Sequence, residues 1–169
     1  MKPAPILTAI VVLGMAVTVF PLASQAMNMQ ASQGKTSAET FPFGHLGLAR
    51  DVSRVIAIKA LDIRFEPKRI QVYRDETVRF VVTNDGKLAH EFVIGDAQLQ
   101  AEHEKEMQAM AGMPMHADVN AISLLPGQTK SLVWTFTRDG VTEYACHMPG
   151  HFAAGMVGRI FIRSGKRTK

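Results

Sequence analysis

The residues best suited to chemistry stand close together near the C-terminal end. In Tyr144-Ala145-Cys146-His147-Met148-Pro149-Gly150-His151-Phe152-Ala153-Ala154-Gly155-Met156, a thiol is followed five residues on by an imidazole, and five further on by a thioether. Thiolate, imidazole and a weak axial thioether form the donor set of a one-electron copper site. The sulfur donors favour Cu(I), the imidazoles accept Cu(II), and a compromise between the two geometries leaves little to rearrange when the electron moves. Pro149-Gly150 is a turn signal that would bring His151 back towards Cys146.

A trigonal site of this kind needs a second imidazole. His90 is the candidate: it follows the turn signal Asn84-Asp85-Gly86 and shares the parity of Phe92 and Ile94, which places it on the inner face at the start of a strand. A lone inward histidine is more often a core residue, and the downstream loop is what favours a ligand here. His147 adjoins Cys146 but points the other way by alternation, and is expected to be exposed or hydrogen-bonded. Two other chemistries use these residue types. Structural zinc sites pair cysteines at C-x₂₋₄-C spacing and seldom use methionine, and Cys146 is the sole cysteine. A cysteine nucleophile with a histidine base would lack an Asn, Asp or Gln to orient that base, and would leave Met156 unexplained.

The elements that must hold these side chains read as strands. Apolar residues alternate with polar ones in Leu61-Ile63-Phe65, Ile70-Val72, Val78-Phe80-Val82 and Leu132-Trp134-Phe136. Tyr144 shares a face with Cys146, and Ile160 with Ile162. Turn signals at Glu66-Pro67, Asn84-Asp85-Gly86, Pro126-Gly127, Asp139-Gly140 and Pro149-Gly150 separate them. Short strands with frequent turns predict an all-β antiparallel sandwich, and no stretch has the helical period that βαβ units need. The exception is Ala97 to Ala111, rich in helix formers and ended by Gly112-Met113-Pro114, which predicts an inserted helix and a Met-rich loop at about 96–118. On that helix His103, Met107 and Met110 share a face, and Met113, Met115 and His116 follow on the loop. Together they form a candidate second, weaker Cu(I) site, since soft thioethers suit the soft ion. Ordinary burial of a methionine stripe is the competing explanation.

The Cys146, His151 and Met156 loop, the upstream His90 and the Tyr144-Ala145-Cys146 lead-in resemble the cupredoxins, the type 1 blue copper proteins, over roughly Val55 to Arg163. The Gly155-Met156-Val157-Gly158 ending is similar to that of plastocyanin-type members, although the Cys-to-His spacing is longer than in plastocyanin. The loop also resembles the ligand loop of multicopper oxidases, but Ala145 stands where their flanking histidine would be and His-x-His pairs are missing from the chain. The likeness extends to small periplasmic bacterial cupredoxins that carry a Met/His-rich insertion and are associated with copper tolerance. The resemblance implies a Greek-key sandwich of eight strands with copper near one end, and a thiolate that passes an electron to or from a partner protein.

The N-terminus reads as an export signal over residues 1–26: Lys2, an uncharged apolar run from Ile6 to Phe20, the breaker Pro21, and Ser24-Gln25-Ala26 at the cleavage point. The run is shorter than the ~20 residues needed to span a bilayer. The expected organisation is then a flexible leader at 27–53, a cupredoxin domain at 54–165 and a tail at 166–169. Without Lys2, the 19 basic side chains become 18 against 15 acidic, a net charge of +3. The chain has no basic stripe interleaved with aromatics, which disfavours nucleic acid as a partner. One cysteine in an exported chain suits a metal better than a disulfide framework. The expected protein is a periplasmic, non-enzymatic copper carrier with one type 1 copper, a redox or copper-handling protein as partner, and a role in copper homeostasis. A dedicated electron carrier is the alternative.

Overall fold

The computed structural model describes residues 40–110 and 118–165. The apolar alternation becomes two packed sheets. The first holds β1 (Thr40–Phe41), β2 (Gly44–Leu46), β3 (Arg54–Leu61), β4 (Arg64–Glu66), β6 (Thr77–Asn84) and β9 (Thr129–Phe136), in the order β1-β2-β9-β6-β3-β4. The second holds β5 (Arg69–Tyr73), β7 (His90–Gly95), β8 (Ala121–Leu124), β10 (Gly140–Ala145) and β11 (Val157–Arg163), in the order β5-β11-β10-β7-β8. Most neighbours are antiparallel, while the β3–β6 and β5–β11 pairs are parallel. Phe65, Phe80, Phe92, Trp134, Phe136 and Tyr144 fill the space between the sheets, joined by Val72, Val78, Val82 and Ile160. These are the residues whose parity in the sequence pointed inward.

The alternation through Leu61, Ile63 and Phe65 is not one strand. Leu61 pairs with Arg64, so Asp62 and Ile63 form a two-residue hairpin turn, and Ile63 takes the positive φ such turns demand (64°). This turn places the Asp62 carboxylate at the end of the sandwich where His90 begins β7.

The leader is a correction. Residues 40–53, expected to be flexible with the rest of 27–53, are built into the fold. Leu46 pairs with Trp134 across β2–β9, and a single 3-10 turn follows at Ala49–Asp51. Phe41 and Phe43 lie 5.5 and 5.7 Å from the Trp134 ring, and Phe43 is buried. Aromatic burial outweighs the composition of this stretch. Residues 1–39 and 166–169, which include the expected signal and tail, lie outside the described residues. Among the described residues no helix is long and apolar enough to cross a membrane.

The inserted helix α1 (Ala97–Ala109) starts at Asp96, whose carboxylate accepts from the Leu99 N–H. It lies on the outer face of β7 and β10, so every residue of β7 is buried, including Glu91. Its inward face is polar: Gln100 and His103 are its buried residues. Gln100 Nε2 donates to Val93 O at 2.9 Å and anchors the helix to the sheet backbone.

Docking of the leader should be measurable. Phe43→Ala is expected to cost about 3 kcal/mol, the usual loss for a buried phenylalanine. It should also shift the emission of Trp134, the sole tryptophan, to the red. Urea denaturation followed by fluorescence reads both, and an unchanged midpoint and emission would show that the leader contributes nothing.

Candidate metal centre

Cys146 lies just past the end of β10, fully buried. Its Sγ is 3.3 Å from His151 Nδ1 and 3.7 Å from His90 Nδ1. The three donor atoms all lie within 4.8 Å of one another, and among the described residues this is the only such cluster. Separations of this size fit donors sharing one first-row cation at bonds of about 2.0–2.3 Å. The donor chemistry fits copper, since a soft thiolate with two imidazoles serves both oxidation states.

The loop after Cys146 is folded by its own backbone. The His151 N–H donates to Met148 O, the Ala154 N–H to Gly150 O, and the Met156 N–H to His151 O. Gly150 and Gly155 take φ of 82° and 84°, where a side chain would be strained. The Cys146 N–H then donates to Met156 O at 3.2 Å, which closes the loop and sets Met156 beside the cluster, fully buried. The Glu91 N–H points at the sulfur (3.3 Å).

Burial dominates the electrostatics. It pushes the Cys146 thiol up to about 11, against the pull of the Glu91 and Met148 N–H groups. Burial also holds His90 and His151 below the ordinary imidazole value. Protonation of these rings is thus disfavoured and their lone pairs stay available. Asp62 opposes this at His90: its Oδ1 sits 3.6 Å from Nε2 and accepts from the Lys87 and Leu88 N–H groups. A carboxylate behind a ligating imidazole fixes which nitrogen faces the metal. Gly86 leaves room for it, because a Cβ there would come within 2.3 Å of Asp62 Oδ1.

His147 is buried, not exposed. It turns away from the cluster as alternation required and is hydrogen-bonded, with Nδ1 2.8 Å from Glu104 Oε2 and Nε2 2.7 Å from Gln100 Oε1. Its ring stacks on Phe152, which lies in the ligand loop (4.6 Å). Helix α1 therefore grips the residue next to Cys146. Asp62, Gln100 and Glu104 carried no signal in the sequence, because their partners are distant in the chain and unmarked by any pattern.

The residues of the expected Cu(I) site are divided. His103 is buried among carboxylates: Glu91 Oε2 and Asp118 Oδ2 each lie 3.8 Å from it, and Glu106 Oε2 lies at 4.0 Å. Met107 lines a different hollow with Glu104, Gln108, His147, Pro149, Gly150 and Ala153. Met110 is half-buried just past the helix end. Met113, Met115 and His116 lie outside the described residues.

A β-sandwich with a buried His-Cys-His cluster at one end defines a copper-binding sandwich class. Residues 52–163 match the family described as copper binding proteins, plastocyanin/azurin family, and the chain belongs to that family. It is similar to the copper-resistant cuproprotein CopI of Rubrivivax gelatinosus, 44% identical over 72% of this chain and 74% of that one. The protein of the same name from Pseudomonas aeruginosa is 37% identical over 79% of this chain and 89% of the relative. Among solved structures, dithionite-reduced auracyanin from Roseiflexus castenholzii superposes with a TM-score of 0.58 at 24% identity, covering 66% of this chain and 98% of that one. Auracyanin B gives 0.60 at 20% identity, over 71% and 96%. At those identities the structural likeness bears on the fold alone.

Two outcomes follow from this geometry. Copper binding must displace the thiol proton, while the imidazoles are already neutral. Affinity should therefore rise about tenfold per pH unit between pH 7 and pH 9, as read by chelator competition corrected for the chelator's own protons. A flat profile would mean that the thiolate is formed beforehand. The two histidines flanking the strand ends should separate cleanly. His147→Ala is expected to lose about 3 kcal/mol, because Gln100 and Glu104 lose a buried partner, yet keep the copper absorption. His90→Ala should bleach or reshape that absorption.

Proposed function

We propose that this chain is an exported cupredoxin that holds one copper through His90, Cys146 and His151, with Met156 as the weak axial donor, and serves copper tolerance. The observation that carries this reading is the buried His-Cys-His cluster in a chain similar to copper-resistant cuproproteins. Bound copper would supply a one-electron Cu(I)/Cu(II) couple. The chain's own residues do the rest. Cys146 gives up its proton and binds as thiolate. The Nδ1 atoms of His90 and His151 face the sulfur. The Glu91 N–H tempers the thiolate charge, and the buried Met156, whose carbonyl accepts from the Cys146 N–H, would lend its thioether. The N-terminal apolar run and Ala26 support export to the periplasm by a cleaved signal. The match to the copper-binding family supports the reading of a carrier rather than an enzyme.

A dedicated electron carrier is the second reading, and one observation favours it. Leu88 and Leu125 are exposed (47% and 59%) near His90, which pairs with Leu124, and Ala153 and Ala154 are exposed on the ligand loop. Apolar surface around a ligand suits brief docking of a redox partner.

The purified protein should bind one copper per chain with an intense visible thiolate-to-copper band. Cys146→Ser should abolish the band, and Met156→Leu should keep a coloured site at a higher potential. An equal band in Cys146→Ser would overturn the assignment. To separate the two roles, the gene would be deleted and growth measured in excess copper. Sensitivity relieved by wild type but not by Cys146→Ser supports tolerance, whereas unchanged growth favours the carrier reading.

A further inference from the structure

The His90 ring has a second nitrogen whose surroundings go beyond what holding a metal requires. With Nδ1 turned to the sulfur and free to bind, a neutral imidazole carries its proton on Nε2. The ring is fully buried, and Nε2 has no hydrogen-bond partner among the described residues. What it faces is the Asp62 carboxylate, with Oδ1 3.6 Å away.

Two turns hold that carboxylate in place. The turn between β3 and β4 carries Asp62 to this end of the sandwich. Opposite it, residues 84–88 are shaped by the buried Asn84 side chain. Its Oδ1 accepts from the Gly86 N–H at 2.9 Å, and its Nδ2 donates to Leu88 O at 2.8 Å and Leu124 O at 3.1 Å. Shaped in this way, the segment aims the Lys87 and Leu88 N–H groups at Asp62 Oδ1, at 2.8 and 3.2 Å. Gly86 completes the cradle, since a Cβ there would press on both Asp62 Oδ1 and His90 Nε2.

A backbone carbonyl would suffice to orient the ring. A carboxylate does this and adds a full negative charge, which also makes the imidazole a stronger donor. That charge is not cancelled nearby: among the described residues no Lys or Arg forms an ion pair with Asp62, and Lys59 is engaged by Asp85 at 3.1 Å. Its effect differs between the two copper states. Cu(I) with one thiolate is neutral overall, whereas Cu(II) with the same thiolate carries one positive charge. A fixed anion beside the centre therefore stabilises the oxidised state more.

We infer that Asp62 is a positioning residue that biases the copper centre towards Cu(II), acting through His90. The inference rests on the copper site proposed above, and it assigns the direction of tuning to one carboxylate outside the ligand set.

The test compares the copper-loaded wild type with Asp62→Asn, which keeps an oxygen for the Lys87 and Leu88 N–H groups and removes only the charge. The potential is read by redox titration of the visible thiolate-to-copper band. Asp62→Asn should keep the band and lose about tenfold in Cu(II) affinity relative to Cu(I), a rise of about 59 mV for a one-electron couple. Asp85→Asn removes the same charge from the next turn, where Lys59 already balances it, and should leave the potential within a few-fold of wild type. An unchanged or lower potential in Asp62→Asn would overturn the assignment. An equal rise in both variants would also overturn it, because net charge rather than the place behind His90 would then be the cause. A wild type with no thiolate-to-copper band would instead sink the copper site itself, and the inference with it.

Discussion

The structure turns on one buried sulfur. A thiol at the end of β10, held above its ordinary value by burial and by the nearby carboxylates of Glu91 and Glu104, is the sole cysteine of the sequence. What surrounds it is two imidazole nitrogens and backbone N–H groups, an environment that stabilises a thiolate only when a cation joins it. Each supporting feature can be traced to that need. The sandwich end brings His90 to the sulfur, the hydrogen-bonded loop returns His151, and the Asp62 turn stands behind His90.

Much of this was legible from residue order. Period-two runs such as Val78-Phe80-Val82 and Leu132-Trp134-Phe136 marked core faces because a strand with one wet face must alternate. Cys146 and His151 were visible because a single loop carries both, and His90 because its parity matched Phe92 and Ile94. The failures also have causes. Ile63 fits the apolar alternation but sits in a turn, since two adjacent strands needed a two-residue reversal and the hairpin took it. Residues 40–53 carry no strand alternation to place them, while two phenylalanines sufficed to dock them on Trp134. For His147 the sequence left exposure and hydrogen bonding both open, because alternation says which side a residue takes but not what covers that side; it is hydrogen-bonded under the helix.

The covering element is the inserted helix, and its interface is unusual in kind. Helices normally settle on sheets through an apolar stripe. Helix α1 instead presents Gln100, His103 and Glu104 to a face bearing Glu91 and His147. Polar pairs are directional, so this contact fixes the helix in one register over β7 and β10 where greasy contact would tolerate sliding. The residues gripped adjoin metal ligands in the chain, so the rigidity of the insertion is passed to the loop below it. Phe152, stacked on His147 from within that loop, completes the connection.

The strand order also dictates when the molecule can assemble. β2 pairs with β9, and β3 with β6, which in turn waits for β9, so the first sheet stays open until the chain has been made past Phe136. His90 is available early, but Cys146, His151 and Met156 all lie in the last two dozen residues. Contacts this distant in sequence are slow to form, because the loop entropy is spent before the pairing returns it. A partly made chain thus holds one of the site's two imidazoles and no thiol, so the His-Cys-His donor set is complete only in the finished fold.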